Sequence, residues 1–212
     1  MRLREILDGA AKGVFPVPDG SVTVVPQMCA RDAGVLAFTA HTVVFTDEPG
    51  AWVREALAAT GCDPLAAPMN ARFLAAFMDR TGRAHDTIDL LTAASALPGP
   101  PPCELREIRD RAHPRVVRAL THRDEVRVWE TADGAGVLVL GRGIGGRTEA
   151  AIEVEEDVRH RGLGRRLAVA ARHLTTDEFV WSQQSPGNAR SVRVFQAAGY
   201  RPVGSEALML LP

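Results

Sequence analysis

The first half of the chain alternates stretches of strand-like and helix-like hydrophobic pattern. Ser21–Pro26 and Gly34–Thr46 are rich in Val, Thr and Phe, which predicts strands, and the second stretch is long enough for a hairpin. Ala51–Thr60 and Asn70–Arg80 carry apolar residues at helical spacing, and each ends near a glycine, which predicts two helices. A further strand is predicted at Thr87–Ala93.

The second half continues this alternation of short segments. The pattern predicts, in chain order, a strand at Glu104–Ile108, a helix at Pro114–Thr121, strands at Glu125–Thr131, Gly136–Leu140 and Glu149–Val154, a helix at Gly162–Leu174, a strand at Phe179–Gln183, a helix at Asn188–Ala198 and a last strand or hairpin at Val203–Leu211. Strands and helices therefore mix along the whole chain, and the predicted fold class is α/β with a mixed α+β sheet.

A proline-rich segment divides the sequence nearly in half. Pro98-Gly99-Pro100-Pro101-Pro102 cannot continue a helix or a central strand, and it favours a stiff, extended connector. We therefore predict an N-terminal α/β region at 1–97, a linker at 98–102 and a C-terminal domain at 103–212.

Composition and charge narrow the class of protein. The 212 residues are 46% apolar and 24% charged, which is typical of a folded globular chain. The formal net charge is only -1, so we expect neither nucleic acid nor a membrane as a partner. Three widely spaced cysteines favour a reducing compartment, and the charged first turn is unlike a signal peptide. The expected location is the cytoplasm.

One glycine motif resembles a dinucleotide-binding loop but stands in the wrong context. Gly141-Arg-Gly143-Ile-Gly-Gly146 matches G-x-G-x-x-G and follows a predicted strand. A dinucleotide-binding loop needs a helix next, whereas Arg147 leads directly into another predicted strand. These residues are typical of a glycine-rich hairpin loop.

The next segment has the chemistry of a pyrophosphate site. A strand ending at Val154 passes through an acidic turn into Arg159-His-Arg-Gly162-Leu-Gly164, where a helix is predicted to begin. The first turn of a helix offers unpaired amides and a partial positive charge, and glycine lets a ligand approach closely. A solvated basic helix start capped by glycines explains the same residues.

A second segment follows the next predicted strand. Asn188 can cap the helix that holds Ser191 and Phe195, and Gly199 can end it. Alone, this segment indicates only a well-delimited helix.

Taken together, the two segments resemble the GNAT superfamily of acyl-CoA-dependent N-acyltransferases. Its cofactor motif, [Q/R]-x-x-G-x-[G/A] after a central strand, is matched by Arg159, Gly162 and Gly164. Its N-x-x-S/A helix is matched by Asn188 and Ser191. The resemblance covers about half of the chain, from Cys103 to Leu211, and implies a GNAT-like acyl-CoA N-acyltransferase fold with an additional N-terminal α/β region.

The resemblance also implies a set of residues that bind acetyl-CoA as co-substrate, with no metal ion. Backbone groups near the end of the central strand would pair with the pantetheine, amides at the helix start would hold the pyrophosphate, and the second helix would line the pantetheine arm. The residues are Val154, Glu155, Glu156, Arg159, His160, Arg161, Gly162, Leu163, Gly164, Arg165, Asn188, Ser191 and Phe195.

Two positions depart from the family pattern. Phe195 stands where the family usually has a tyrosine that protonates the leaving thiolate, and the frequent glutamate base on the preceding strand corresponds approximately to Gln183. Glu149 and Glu153 share one face of the central strand, so either could be the base if that face lines the cleft. Solvent-facing strand residues would show the same spacing.

The resemblance implies an N-acetyltransferase that moves acetyl from acetyl-CoA to a primary amine of a small molecule or peptide, by direct attack in a ternary complex. The alternative is a non-catalytic acyl-CoA-binding sensor or regulatory module, which Phe195 and Gln183 favour. The N-terminal half could be a degenerate GNAT-like repeat or a cap over the acceptor site. A homodimer is an expectation at the level of the superfamily.

Overall fold

Strands and helices alternate along the chain, as the hydrophobic pattern predicts. The structure is a computed structural model that describes residues 2–121 and 123–211. By their contacts the residues form two units: one contains the chain up to Leu91 together with the residues from Val203 onward, and the other is Thr92–Pro202. Each unit contains strands in both parallel and antiparallel pairs, which confirms the predicted mixed α/β class.

The first unit carries three helices and most of the early strands. In chain order its elements are α1 (Leu3–Ala11), β1 (Val22–Val25), β2 (Asp32–Phe38), β3 (His41–Phe45), α2 (Gly50–Ala58), α3 (Ala71–Thr81) and the start of β4 (Ile88–Ser95). The predicted hairpin is confirmed, because β2 and β3 pair antiparallel from Phe38↔His41 to Gly34↔Phe45. The last strand of the chain pairs antiparallel with the other edge of β2.

Local sequence signals set the ends of α3. The side chain of Asn70 accepts a hydrogen bond from the amide of Arg72 at 2.9 Å, which caps the helix start. Gly82 adopts a left-handed conformation and ends the helix, as predicted from its position. Phe73 and Phe77 on the inner face of α3 are fully buried in the core of this unit.

Helix α1 is an element that the sequence analysis did not predict. Leu3, Ile6, Leu7 and Ala10 are buried at the spacing of one helix face. The signal for a helix was therefore present in the sequence, in the segment whose charges make it unlike a signal peptide.

The second unit is built on a sheet in which most neighbouring strands are antiparallel. Its elements after β4 are β5 (Leu105–Ile108), α4 (Pro114–Leu120), β6 (Asp124–Thr131), β7 (Gly136–Arg142), β8 (Thr148–Val154), α5 (Leu163–Leu174), β9 (Phe179–Gln184) and α6 (Ala189–Ala197), followed by the final strand β10 (Arg201–Leu210), most of which belongs to the first unit. The strand order is β9-β8-β7-β6-β5, and β8 and β9 are parallel.

The core of the second unit lies between α5 and one face of β7 and β8. Leu167, Ala168 and Ala171 of α5 are fully buried in one cluster with Leu138 and Ala150 from the two strands. Helix α5 thus covers one face of the sheet, and its first residues lie near the end of β8.

The contact-based units differ from the predicted domain boundaries in two places. The chain passes between the units within β4, after Leu91, rather than in the proline-rich segment. Residues from Val203 onward belong to the first unit, because β10 completes the sheet next to β2. A strand that returns to an earlier sheet cannot be assigned from local pattern alone.

The lengths of the helices decide whether any of them could span a membrane. Within the described ranges, no helix is both long and apolar enough to cross a bilayer.

The half-buried carboxylate of Asp89 on β4 makes a testable contribution to stability. Burial, followed by the charge of Asp86, raises its pKa to about 6. A carboxyl group whose pKa is higher in the folded protein than in the unfolded chain stabilises the fold while it is protonated, and this stability is lost as pH rises through that pKa. Asp89→Asn is therefore expected to raise the free energy of unfolding near pH 7.5 by about 1 kcal/mol, reduced by residual hydration, and to change it little near pH 4.

Urea unfolding of the wild type and variant at both pH values measures this difference. Asp47→Asn, at an exposed position, changes the net charge equally and is the control. An equal effect of Asp89→Asn at both pH values would contradict the assignment.

Candidate active site

The parallel strands β8 and β9 diverge from one point. In the described part of the chain their register is the single pair Glu149↔Trp181. On its other edge β8 keeps a full antiparallel ladder with β7, from Arg142↔Thr148 to Gly136↔Val154. The backbone of β8 that follows Glu149 therefore has no β9 register pair in the described residues, and its polar groups there are available to a bound molecule, except the Val154 carbonyl, which accepts from Arg159.

The loop after β8 leads directly into the basic start of α5. His160 and Gly162 both have positive φ, 66° and 79°, so the chain turns sharply before the helix. A Cβ atom built on Gly164 would lie 3.7 Å from both Ile152 and Val154, which places the first turn of α5 against the end of β8. The helix start and the divergence of the strands are thus neighbours.

The first turn of α5 has the features of an anion site. Its N-cap is Gly162, and no side chain of the described residues caps it, so its first amides keep their hydrogen-bonding capacity. Arg161 and Arg165 are exposed beside these amides. The Arg159 guanidinium donates to the Val154 carbonyl at 3.2 Å and so ties the loop to the end of β8. These groups fit the pyrophosphate of an acyl-CoA.

Helix α6 begins on the other side of the divergence. The Asn188 side chain accepts from the amide of Ser191 at 3.1 Å and caps the helix. Both residues retain exposed surface at the helix start.

Phe195, which the resemblance assigns to cofactor binding, lies in the core instead. Its ring is 2% exposed and packs edge-to-face on Tyr200, with 4.9 Å between ring centroids. This position leaves Phe195 almost no surface for a cofactor. Tyr200 donates to the Ala168 carbonyl at 3.2 Å, and burial raises its pKa, so it is a poor proton donor.

Glu149 is the centre of a buried ion network. Its two oxygens accept from Arg147 Nε at 2.8 Å and from Arg123 Nε at 3.1 Å. Burial by itself raises the pKa of Glu149, but the charges of Arg147 and Arg123, with hydrogen bonds from Arg147 and Gln183, lower it overall. The group is held as a carboxylate with both oxygens engaged, which makes it unsuited to accept a proton from a substrate.

Two glycines of the G-x-G-x-x-G segment make room for this network. A Cβ atom on Gly143 would lie 2.0 Å from Oε1 of Glu149, and one on Gly141 would lie 2.8 Å from Cβ of Arg123. The segment joins the antiparallel strands β7 and β8, so the predicted hairpin is confirmed and no helix follows it. The glycines serve side-chain packing rather than phosphate binding.

Glu153 occupies a different environment on the same face of β8. It is exposed and lines a cleft of about 270 Å³ on the face of β7 and β8 opposite to α5. The cleft is lined by Arg118, Ala119, Arg123, Val137, Val139, Ala151, Ile152 and Glu153. Of the two predicted glutamates, Glu153 lines this cleft and Glu149 does not.

The structure places the start of α5 against the end of β8 and beside α6, whereas Phe195 of α6 lies in the core. The sequence analysis missed Arg118, Arg123 and Arg147. Arg147 had a local signal, since it follows the glycine segment two residues before Glu149, whereas Arg118 and Arg123 reach the cleft only through the packing of α4 and β6. Within the described ranges, no cluster of three or more potential metal ligands occurs.

Gly143→Ala is expected to destabilise the protein by about 3 kcal/mol, because the added methyl group displaces a buried carboxylate from both guanidinium partners. Urea unfolding checks this value. Gly187→Ala is the matched control, since a Cβ atom there meets only the Ser185 hydroxyl at 3.8 Å. Similar stability of the two variants would show that the network tolerates displacement.

Comparisons with known proteins give similarity to solved structures only. No protein-family model matches the sequence, and no curated protein matches it. The chain is similar to a GCN5-related N-acetyltransferase from Kribbella flavida, with 17% identity, a TM-score of 0.42 and coverage of 66% of this chain and 63% of that one. It is also similar to a GCN5-related N-acetyltransferase from Sphaerobacter thermophilus, with 14% identity, a TM-score of 0.41 and coverage of 66% and 56%.

A third similar structure is a protein from Novosphingobium aromaticivorans described as an acetyltransferase from the GNAT family. The identity is 18%, the TM-score is 0.42, and the match covers 60% of this chain and 67% of that one. The chain spans less than two thirds of the length of the first two proteins.

Proposed function

We propose that the chain is a GNAT-type N-acetyltransferase that moves acetyl from acetyl-CoA to a primary amine by direct attack in a ternary complex. The observation that carries this proposal is the divergence of β8 and β9 beside the uncapped, arginine-rich start of α5. A slot between two strands suits an extended amide-containing arm, and the helix start suits the phosphates at its end.

Acetyl-CoA would supply an activated acyl group, whose C–S bond breaks when the amine nitrogen attacks the carbonyl carbon. Amides of residues 160–165 would bind the pyrophosphate, and the amides of Val154 and Glu156 would pair with the pantetheine. The backbone of Glu155 is already engaged, because its amide donates to Ala135 and its carbonyl accepts from Val158. Asn188 and Ser191 would border the same arm from the start of α6. The start of α5 lies close to both β8 and α6, since a Cβ atom on Gly164 would lie 3.7 Å from Val154 and 3.5 Å from Val194.

The base in this proposal is Glu153 rather than Glu149. An incoming ammonium group must lose a proton before it attacks, and the Glu153 carboxylate in the cleft would accept that proton directly or through water. Glu149 is committed to Arg147 and Arg123. Because Phe195 is apolar and Tyr200 is buried, the leaving thiolate would take its proton from solvent.

A non-catalytic acyl-CoA-binding module is the second candidate. The observation that favours it is the absence of a proton donor at Phe195, together with the use of Gln183 as a hydrogen-bond partner of Glu149. Both candidates require acyl-CoA binding, and only the first requires turnover.

Calorimetric titration with acetyl-CoA and CoA, followed by thiol release from acetyl-CoA against a pool of primary amines, tests the proposal. Binding with amine-dependent CoA release is expected for a transferase. Binding without release across the pool would favour the sensor, and the absence of binding would overturn both.

Charge reversal at the start of α5 tests the phosphate site. The double variant Arg161→Glu and Arg165→Glu is expected to raise the dissociation constant of CoA about 100-fold, since two charge-assisted contacts are lost. Acidic residues suit the first turn of a helix, so the fold should persist, and circular dichroism checks this. Arg111→Glu, at an exposed position before α4, is the control. Equal CoA affinity in all three proteins would place the phosphates elsewhere.

Glu153→Gln tests the base. It is expected to lower kcat by about 100-fold or more while CoA affinity stays the same, because the amide cannot accept the proton. The dependence of kcat on pH distinguishes loss of the base from a structural effect, since the acidic limb of the profile should disappear in the variant. Glu104→Gln, at an exposed position in the same unit, is the matched control. A normal kcat in Glu153→Gln would assign the base to another group.

A further inference from the structure

The cleft beside α4 contains a guanidinium group whose charge no described side chain balances. Arg118 is exposed on α4 and lines the cleft. Within residues 2–121 and 123–211 its side chain forms no ion pair and no hydrogen bond. An arginine that lines a cavity without an internal partner keeps all its donors for a ligand.

A second guanidinium group reaches the same cleft from the buried network. Arg123 and Arg147 both bind Glu149 in this network. Arg123 is its member on the cleft wall, and its Nε is the nitrogen that binds Glu149. The terminal nitrogens of Arg123 make no further hydrogen bond in the described part of the chain, so they remain donors in the cleft that Arg118 also lines.

A carboxylate lines the same cleft. Glu153 is four residues beyond Glu149 on β8, which separates them by about 13 Å along the strand. Val137, Val139 and Ala151 add apolar surface to the cleft. The cleft thus presents two guanidinium groups, a carboxylate and a short apolar surface.

We infer that the acceptor is a primary amine that carries its own anionic group, a carboxylate or a phosphate, bound by Arg118 and Arg123 while the amine lies at Glu153. This inference rests on the proposed transferase function. A guanidinium fork matches the oxygens of carboxylate and phosphate, and both are held more strongly where water is partly excluded. A polyamine would instead bring further positive charge against two arginines, which disfavours it.

Matched pairs of amines test the inference. The probes are β-alanine against β-alaninamide, and O-phosphoethanolamine against ethanolamine, so each pair differs in the anionic group and the two pairs separate carboxylate from phosphate. The readouts are kcat/KM for CoA release and calorimetric binding of each amine without acetyl-CoA. We expect at least one anionic amine to exceed its neutral partner about 10-fold or more, as the loss of charge-assisted hydrogen bonds predicts.

Variants of Arg118 connect this preference to the cleft. Arg118→Ala is expected to lower kcat/KM for the preferred anionic amine about 10-fold, to leave its neutral partner within about 2-fold, and to leave CoA affinity unchanged. Arg118→Lys should restore part of the loss, since it keeps the charge but not the fork. Arg111→Ala removes an exposed arginine outside the cleft and should match the wild type.

The outcomes separate the two proposals. Equal use of anionic and neutral amines, unchanged by Arg118→Ala, overturns the inference and leaves the transferase in place. Weaker CoA binding in Arg118→Ala also overturns it, because the arginine would then serve the cofactor. If no amine supports CoA release, the transferase proposal is overturned. In that case, binding of an anionic amine that Arg118→Ala weakens still supports the anion site, and the absence of such binding overturns it.

Discussion

The buried carboxylate of Glu149 holds the point from which β8 and β9 diverge. The backbone of Glu149 is paired with Trp181, and its side chain binds Arg147 and Arg123. The guanidinium of Arg147 also lies over the Trp181 ring, 5.2 Å from its centroid. An unpaired charge in this position would be very costly, so strand, hairpin and α4 region must all keep their places for the network to exist. The single register pair of the two strands therefore lies at this network.

The same network gives Glu149 an environment different from that of Glu153. Glu149 and Glu153 lie on one face of one strand, yet one is enclosed by guanidinium groups and the other lines an open cleft. Environment and not residue type therefore decides which glutamate suits proton transfer. Arg123 belongs both to this network and to the cleft wall, so a structural ion cluster contributes a residue to the acceptor site that we propose.

Glycine serves two different purposes in this unit. Gly162 is needed for its left-handed backbone at the start of α5, where a side chain would be strained. Gly143 is needed for space, because its missing side chain leaves room for a carboxylate. The role of Gly162 could be predicted from its place before a helix. The role of Gly143 depends on the position of the Glu149 side chain in the folded hairpin.

The sequence alone determined most elements, the hairpin nature of the glycine segment and the basic helix start, because periodicity, capping and turn chemistry act between residues close in the chain. It did not predict that β10 returns to the first unit, that Glu149 is enclosed, or that Arg118 and Arg123 line one cleft with Glu153. These features depend on contacts between residues that are distant in the chain. Burial and charge balance, which set the chemistry of an ionisable group, arise only when such residues pack together.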